Sequence, residues 1–262
     1  MILTNENYYN EKANREYMSV SQYKSFMKCE AATMAELRGE WKQPKSTALL
    51  VGSYVDSWFE GTLNDFKIQN PEIFKRDGTL KADYVQAEEI IQRVQKDEVF
   101  MEYMSGEKQR IFTAQICGVP WKIKVDSLLP DKIVDLKCMR SMERIMGKSF
   151  VEHWGYDLQM AVYAAVVEHV TGKDLETYLA VVTKQTPSDI EVIHIPKWRR
   201  EELLEDLLKH LPHIVEVKRG IALPERCGVC EYCRATKKIE EPIDFELVGL
   251  SAAERKALFG GM

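Results

Sequence analysis

The sequence predicts a mixed α/β fold: a mixed central sheet flanked by helices, with a helical N-terminal part and a C-terminal cysteine segment. Three observations carry this. Helical apolar spacing dominates up to about residue 105, a two-residue alternation replaces it between residues 109 and 137, and helices and strands then alternate as far as residue 218. At 262 residues the chain can bury a full core as one domain, with a helical part over 19–105, a sheet-bearing core over 106–196 and a C-terminal helix and cysteine segment over 197–262.

The elements follow in order. Ser19 and Gln22 have the spacing of a capping box and open a helix toward residue 38. A second helix covers 46–60 and stops at Gly61, with Val51, Val55, Trp58 and Phe59 as its apolar stripe. A third covers 83–103. In "VPWKIKVDSLL", Trp121, Ile123 and Val125 alternate with Lys122, Lys124 and Asp126, the period of a half-buried strand. Turns at Cys117-Gly118 and Pro130-Asp131 flank it, which predicts a three-stranded antiparallel meander. A long helix over 149–170 closes at Gly172, strands follow over 177–183 and 190–195, and a last helix covers 197–218.

Composition excludes some classes. A net charge of −5 argues against a generally basic nucleic-acid coat, although a local basic groove is compatible with it. No apolar run approaches the roughly 20 residues needed to span a bilayer, and the polar start "MILTNENYYNEK" lacks the basic-then-apolar order of a signal peptide. The expectation is a cytoplasmic protein with no membrane partner.

The segment "DKIVDLKCM" poses the chemical question. Asp135 and Lys137 lie two apart on an otherwise apolar strand and share a face, and the preceding strand can bring Asp126 opposite them. Converging carboxylates suit Mg²⁺ or Mn²⁺, and an adjacent lysine can orient or deprotonate a water or stabilise charge on a phosphoryl oxygen. The same spacing also arises as a solvated ion pair along a strand edge, so spacing alone does not choose.

Cys227, Cys230 and Cys233 form a C-x₂-C-x₂-C run, whereas Cys117 and Cys138 read as small packed residues. In a reducing compartment such a run points to metal ligation, either as three ligands of a [4Fe–4S] cluster or as part of a thiolate Zn²⁺ site. Either needs a fourth ligand from elsewhere.

Taken together, the motifs resemble a known family. "VD" at 125–126 followed by "IVDLK" at 133–137 is similar to the PD-(D/E)xK nuclease signature. "YDLQMAVY" at 156–163 resembles the Q-x-x-x-Y motif of the RecB-type branch, and "VGSYVDSWFEG" resembles its G-x-x-x-H helix with Asp56 in place of the histidine. "SVSQYKSFMKCE" resembles the entry helix of RecB-type nucleases that carry an iron–sulfur staple, with Glu30 where a proline often stands.

The resemblance implies a restriction-endonuclease-like core, Mg²⁺ or Mn²⁺ on Asp56, Asp126 and Asp135, and a catalytic Lys137. It implies that Gln159 and Tyr163 position the DNA backbone, with Tyr156 on the same helical face, and that Cys29 completes a cluster with Cys227, Cys230 and Cys233. Lys122, Lys124 and Arg140 are further candidates for phosphate contact. The expected function is that of phage RecE-like exonucleases, resecting duplex DNA ends 5′ to 3′ for an annealing protein, in some cases as an oligomeric ring. The alternatives are a catalytically silent DNA-end or partner-binding protein of the same fold, and an endonuclease or end trimmer of the CRISPR-adaptation type.

Overall fold

The computed structural model describes residues 1–42, 47–239 and 242–259 and has the mixed α/β architecture. At the N-terminus, α1 (Glu11–Glu16) is capped by Asn10, which accepts from the Ala13 amide at 2.7 Å. Ser19 caps α2 (Val20–Lys28), accepting from the Gln22 amide at 3.3 Å, but the box is not closed. The Gln22 side chain instead donates to the Asn14 carbonyl at 2.9 Å and accepts from Lys218 at 2.6 Å. The helix expected to run on to residue 38 breaks at Cys29, which is extended, and restarts as α3 (Glu30–Leu37).

Next come α4 (Thr47–Phe59) and α5 (Leu63–Gln69); the expected start of α4 at Ser46 lies outside the described residues. The single helix expected over 83–103 is two, α6 (Ala82–Val94) and α7 (Glu98–Tyr103). Asp97 interrupts it by capping α7, accepting from the Phe100 amide at 2.9 Å.

The meander is corrected as well. Strands β1 (Arg110–Ile116) and β2 (Val119–Val125) form a separate two-stranded hairpin. Its turn uses Cys117 and Gly118, both at positive φ, and Cys117 is exposed there rather than packed. A third strand cannot join β2, because the chain entering α2 already occupies that edge: Met18 donates to the Pro120 carbonyl at 2.7 Å and accepts from the Lys122 amide at 2.8 Å. The chain therefore leaves β2 at Asp126, and β3 (Ser127–Leu128) pairs antiparallel with β4 (Lys132–Met139) in a different sheet.

Beyond β4, the long helix divides at Gly155, in the left-handed region at φ 61°, into α8 (Phe150–Trp154) and α9 (Tyr156–Thr171). Strands β5 (Glu176–Thr183) and β6 (Ile190–Ile195), then α10 (Lys197–Lys218), α11 (Glu231–Ala235) and α12 (Ala252–Phe259), complete the chain. The sheet order is β3-β4-β5-β6, with β4 and β5 parallel. Among the described residues no helix is long and apolar enough to cross a membrane.

Both sheet faces are covered, which explains the continuous apolar character of β4 and β5. Ile133, Met139, Leu179 and Val181 pack with α2, the β1–β2 hairpin, α9 and α10. Val134, Leu136, Ala180 and Val182 pack with α4, α6 and α7. By the two-residue period, Asp135 and Lys137 lie on the first of these faces, under α9. Helices α9 and α10 are clamped by Arg199, whose Nε and Nη2 donate to Oδ2 of buried Asp157 at 3.0 and 2.8 Å.

Gly106 sets the position of β3. A Cβ there would lie 2.5 Å from the Leu128 carbonyl oxygen, and the Gly106 amide donates to Ser127 Oγ at 3.0 Å. Gly106→Ala is expected to displace the strand that follows Asp126 and to lower unfolding stability by about 1–3 kcal/mol in denaturant titration, the usual scale for overpacking.

Candidate active site

The bend that takes the chain out of β2 also creates the site. Ser127 pairs with Val134, and continuing that register one residue brings Asp126 across from Asp135. Asp126 is locked in place: its Oδ2 accepts from the Leu136 amide at 2.9 Å and its Oδ1 from Gln109 Nε2 at 3.1 Å. Asp135 is 2% exposed. Its Oδ1 accepts from Gln159 Nε2 at 2.7 Å, so α9 holds one of its oxygens. The other, Oδ2, is paired with the Lys137 ammonium, so both oxygens of this buried carboxylate are held by protein groups. Asp56, on the flank of α4 beside buried Val55, completes the acid group in one cleft of about 1100 Å³ with Asp126, Asp135, Lys137, Gln159 and Tyr163.

Charge is crowded here. Burial, with the neighbouring Asp135 and Asp56, pushes the Asp126 carboxyl well above the usual carboxylate range. Burial also lifts Asp56 to about 7, aided by Glu60 and Asp135 and opposed by Lys137. For Lys137 burial works to strip the proton, but the Asp135 and Asp126 charges outweigh it and raise the ammonium above its ordinary value. In the metal-free protein Lys137 is thus held as an ammonium. A hard divalent cation fits this donor set: Asp56, Asp126 and Asp135 line one cleft and offer carboxylate oxygens whose charges act on one another.

The remaining sequence candidates divide. Tyr156 is half-buried with the Lys137 ammonium 4.9 Å from its ring centroid. Tyr163 lies beside Gln159, its phenol pushed up by burial and by Asp135. Lys124 is half-buried on the cleft wall. Lys122 is corrected: it is 2% exposed, and its ammonium is drawn inward to the Tyr8 carbonyl and to Asn14 Oδ1 at 2.7 Å, which makes it a structural anchor of the N-terminal segment. Arg140 is exposed past the end of β4 and does not line the cleft.

Sequence reasoning missed five contributors. Glu60 lies one helical turn after Asp56, a spacing that could have been read. Gln109 steadies Asp126, and Tyr8 and Tyr9 line the cleft from a segment with no motif. Lys24, on α2, donates to the Trp154 carbonyl at 2.9 Å and is pushed down to about 8 by burial and by Lys137.

A second site lies at the break between α2 and α3. The sulfurs of Cys29, Cys227, Cys230 and Cys233 all lie within 4.8 Å of one another, with Cys29–Cys233 at 3.6 Å and Cys227–Cys233 at 3.9 Å. The Cys227 and Cys230 sulfurs each accept a backbone N–H at 3.4 Å. Burial opposes ionisation of Cys227, but amides of Val229 and Cys230 outweigh it and bring its thiol down to about 7, whereas burial pushes the Cys230 thiol up to about 12 and that of Cys29 upward. Glu30 ties the two halves together: Oε2 accepts from the Glu225 amide at 2.8 Å, and Oε1 pairs with His213 at 2.9 Å.

A bent strand bringing Asp126 to Asp135, a lysine two residues on and a glutamine from the crossing helix define a PD-(D/E)xK-type core. The chain belongs to the family described as a PDDEXK-like domain of unknown function (DUF3799), whose model matches residues 19–236. It is similar to a protein from Eubacterium rectale, described as a candidate exonuclease, whose crystal structure matches with a TM-score of 0.90 at 46% identity over 100% of both chains. No curated protein matches the chain.

The Asp56 carboxyl gives a prediction with a definite sign. Its folded value of about 7 lies above its ordinary 3.8, so ionisation opposes folding, increasingly from about pH 4 and in full above about pH 7. Asp56→Asn is expected to raise the melting temperature of the metal-free protein by a few degrees at pH 8, and by less at pH 5. Mg²⁺ should stabilise the wild type more than the variant.

Proposed function

We propose that the protein is a Mg²⁺-dependent DNA exonuclease. The observation that carries the reading is the single cleft in which Asp56 and the strand-held Asp126 and Asp135 stand beside the Lys137 ammonium. Family membership and the likeness to the candidate exonuclease from Eubacterium rectale support it. A divalent cation on Asp56, Asp126 and Asp135 would supply Lewis-acid stabilisation and an activated water. Lys137, held charged, donates to the oxygen on which negative charge grows as the phosphodiester opens. Gln159 fixes the Asp135 carboxylate, and Tyr163, packed beside Gln159, keeps that helix face in register with the strand. Lys124, half-buried on the cleft wall, and Tyr156, beside Lys137, are left to hold the DNA backbone.

The resemblance to phage RecE-like enzymes supports a finer reading: cytoplasmic resection of double-stranded ends, 5′ to 3′, producing a strand for an annealing protein. End-labelled linear and covalently closed DNA, each with and without Mg²⁺, test it. Mg²⁺-dependent loss of the linear form with the closed form intact is expected. Cleavage of the closed form makes the protein an endonuclease, and binding without cleavage makes it a silent end-binding protein. Lys137→Ala and Asp135→Asn are each expected to lower the cleavage rate by at least about 100-fold. Their folding should be checked by melting in Mg²⁺, since either change alters the buried charge balance.

For the cysteine site we propose a structural four-thiolate metal centre. The resemblance supports a [4Fe–4S] cluster. The sulfur separations support a second occupant, Zn²⁺, because 2.3 Å Zn–S bonds in a tetrahedron set the sulfurs about 3.8 Å apart. Iron, sulfide and zinc analysis of anaerobically purified protein separates the two. Replacing any of the four cysteines with alanine is expected to lower soluble yield and release the metal, whereas Cys117→Ala and Cys138→Ala should leave the metal content unchanged.

A further inference from the structure

The N-terminal segment carries an exposed aromatic residue into the catalytic cleft, and no part of the chemistry above uses it. Tyr9 is 69% exposed, yet it lines the same cleft as Asp56, Asp126 and Asp135. Its pKa is raised to about 12 by desolvation first and then by Asp126, Asp56, Glu60 and Asp135. The segment is anchored rather than loose. Tyr8 is buried, its amide donates to the Thr4 carbonyl at 3.0 Å, and its own carbonyl accepts from Lys122. The Tyr9 carbonyl accepts from Asn14 Nδ2 at 3.2 Å, and Asn10 immediately caps α1. The ring is thus anchored at the edge of the cleft, with the Lys124 ammonium over it at 4.8 Å from its centroid and the Tyr8 ring edge-on at 4.9 Å, while most of its surface stays open.

Electrostatics say what such a ring is for. Glu6, Glu11, Glu36, Glu60 and Asp65 line this cleft together with the three aspartates and outnumber its four lysines, so a polyanion entering it meets net repulsion. Stacking on a nucleobase is uncharged and sequence-tolerant, and so adds binding that this repulsion does not oppose. We propose that Tyr9 is a positioning residue that stacks on an unpaired nucleobase at the DNA end, with Lys124 taking the phosphate beside that base. The proposal rests on the nuclease reading and adds to it the recognition of a base, not only of a backbone.

Binding rather than cleavage tests it, with Ca²⁺ replacing Mg²⁺ and fluorescein-labelled DNA whose end is frayed over a few nucleotides. Tyr9→Ala is expected to weaken binding between about 5- and 150-fold, the range for losing one base–aromatic stack. Tyr9→Phe should bind like the wild type. Removing the bases from the frayed end should weaken the wild type by the same factor and Tyr9→Ala no further. Tyr9→Trp should show quenching on DNA addition beyond that of the wild type. Equal affinity of Tyr9→Ala and the wild type, or the same Tyr9→Ala penalty on abasic and intact ends, would overturn the proposal and leave the nuclease reading standing. A wild type that binds no DNA would overturn both.

Discussion

The buried charge on the inner face of β4 is the constraint to which the rest of the structure answers. An ion pair such as Asp135–Lys137 gains little from burial, because the desolvation of two charges offsets their attraction. Here the balance is worse, since Asp126 and Asp56 add negative charge to the same pocket. The fold compensates oxygen by oxygen: Gln159 takes Asp135 Oδ1, the Leu136 amide takes Asp126 Oδ2, and Gln109 takes Asp126 Oδ1. Lys137 takes Asp135 Oδ2, and the further negative charge that Asp126 and Asp56 can carry suits a divalent cation.

That compensation fixes the architecture around it. Gln159 reaches Asp135 only if α9 crosses the face that carries Ile133 and Met139, and the Arg199–Asp157 clamp holds α9 against α10. Asp126 reaches its two donors only because β2 ends where it does. The Met18 backbone, by taking the open edge of β2, sends the following residues into the other sheet and turns a would-be ladder position into a carboxylate that accepts a backbone amide. A hydrogen bond in the entry segment thereby decides the geometry of an acid more than a hundred residues later in the chain.

Much of this was legible in the sequence, and the reasons for the rest are physical. The Asp126, Asp135 and Lys137 set followed from strand periodicity, and the Asp56, Gln159 and Tyr163 positions from motif resemblance; all six line one cleft. The helix breaks at Cys29, Asp97 and Gly155 were not legible, because apolar spacing continues through each. They are imposed by thiol convergence, by a cap, and by a left-handed residue packed against Lys24. Lys122 read as an outward-facing lysine because its neighbours alternate. The Tyr8 carbonyl and Asn14, more than a hundred residues away in sequence, draw its ammonium inside instead. Tyr9 and Gln109 carry no periodic signal, and their roles exist only once the chain is folded.

Helix α2 joins the two sites in a mechanical sense. Ser21, Gln22, Lys24 and Ser25 on its first turns line the cleft, and its last residue adjoins Cys29. Nine helical residues span about 13 Å, short enough to act as a stiff rod. The four-cysteine centre joins residues 204 apart and therefore grips one end of that rod, while the cleft wall is the other. Loosening the thiolates would free the C-terminal segment and, through the same rod, let the wall of the cleft swing. The integrity of a centre that touches no substrate is in this way built into the shape of the place where substrate would lie.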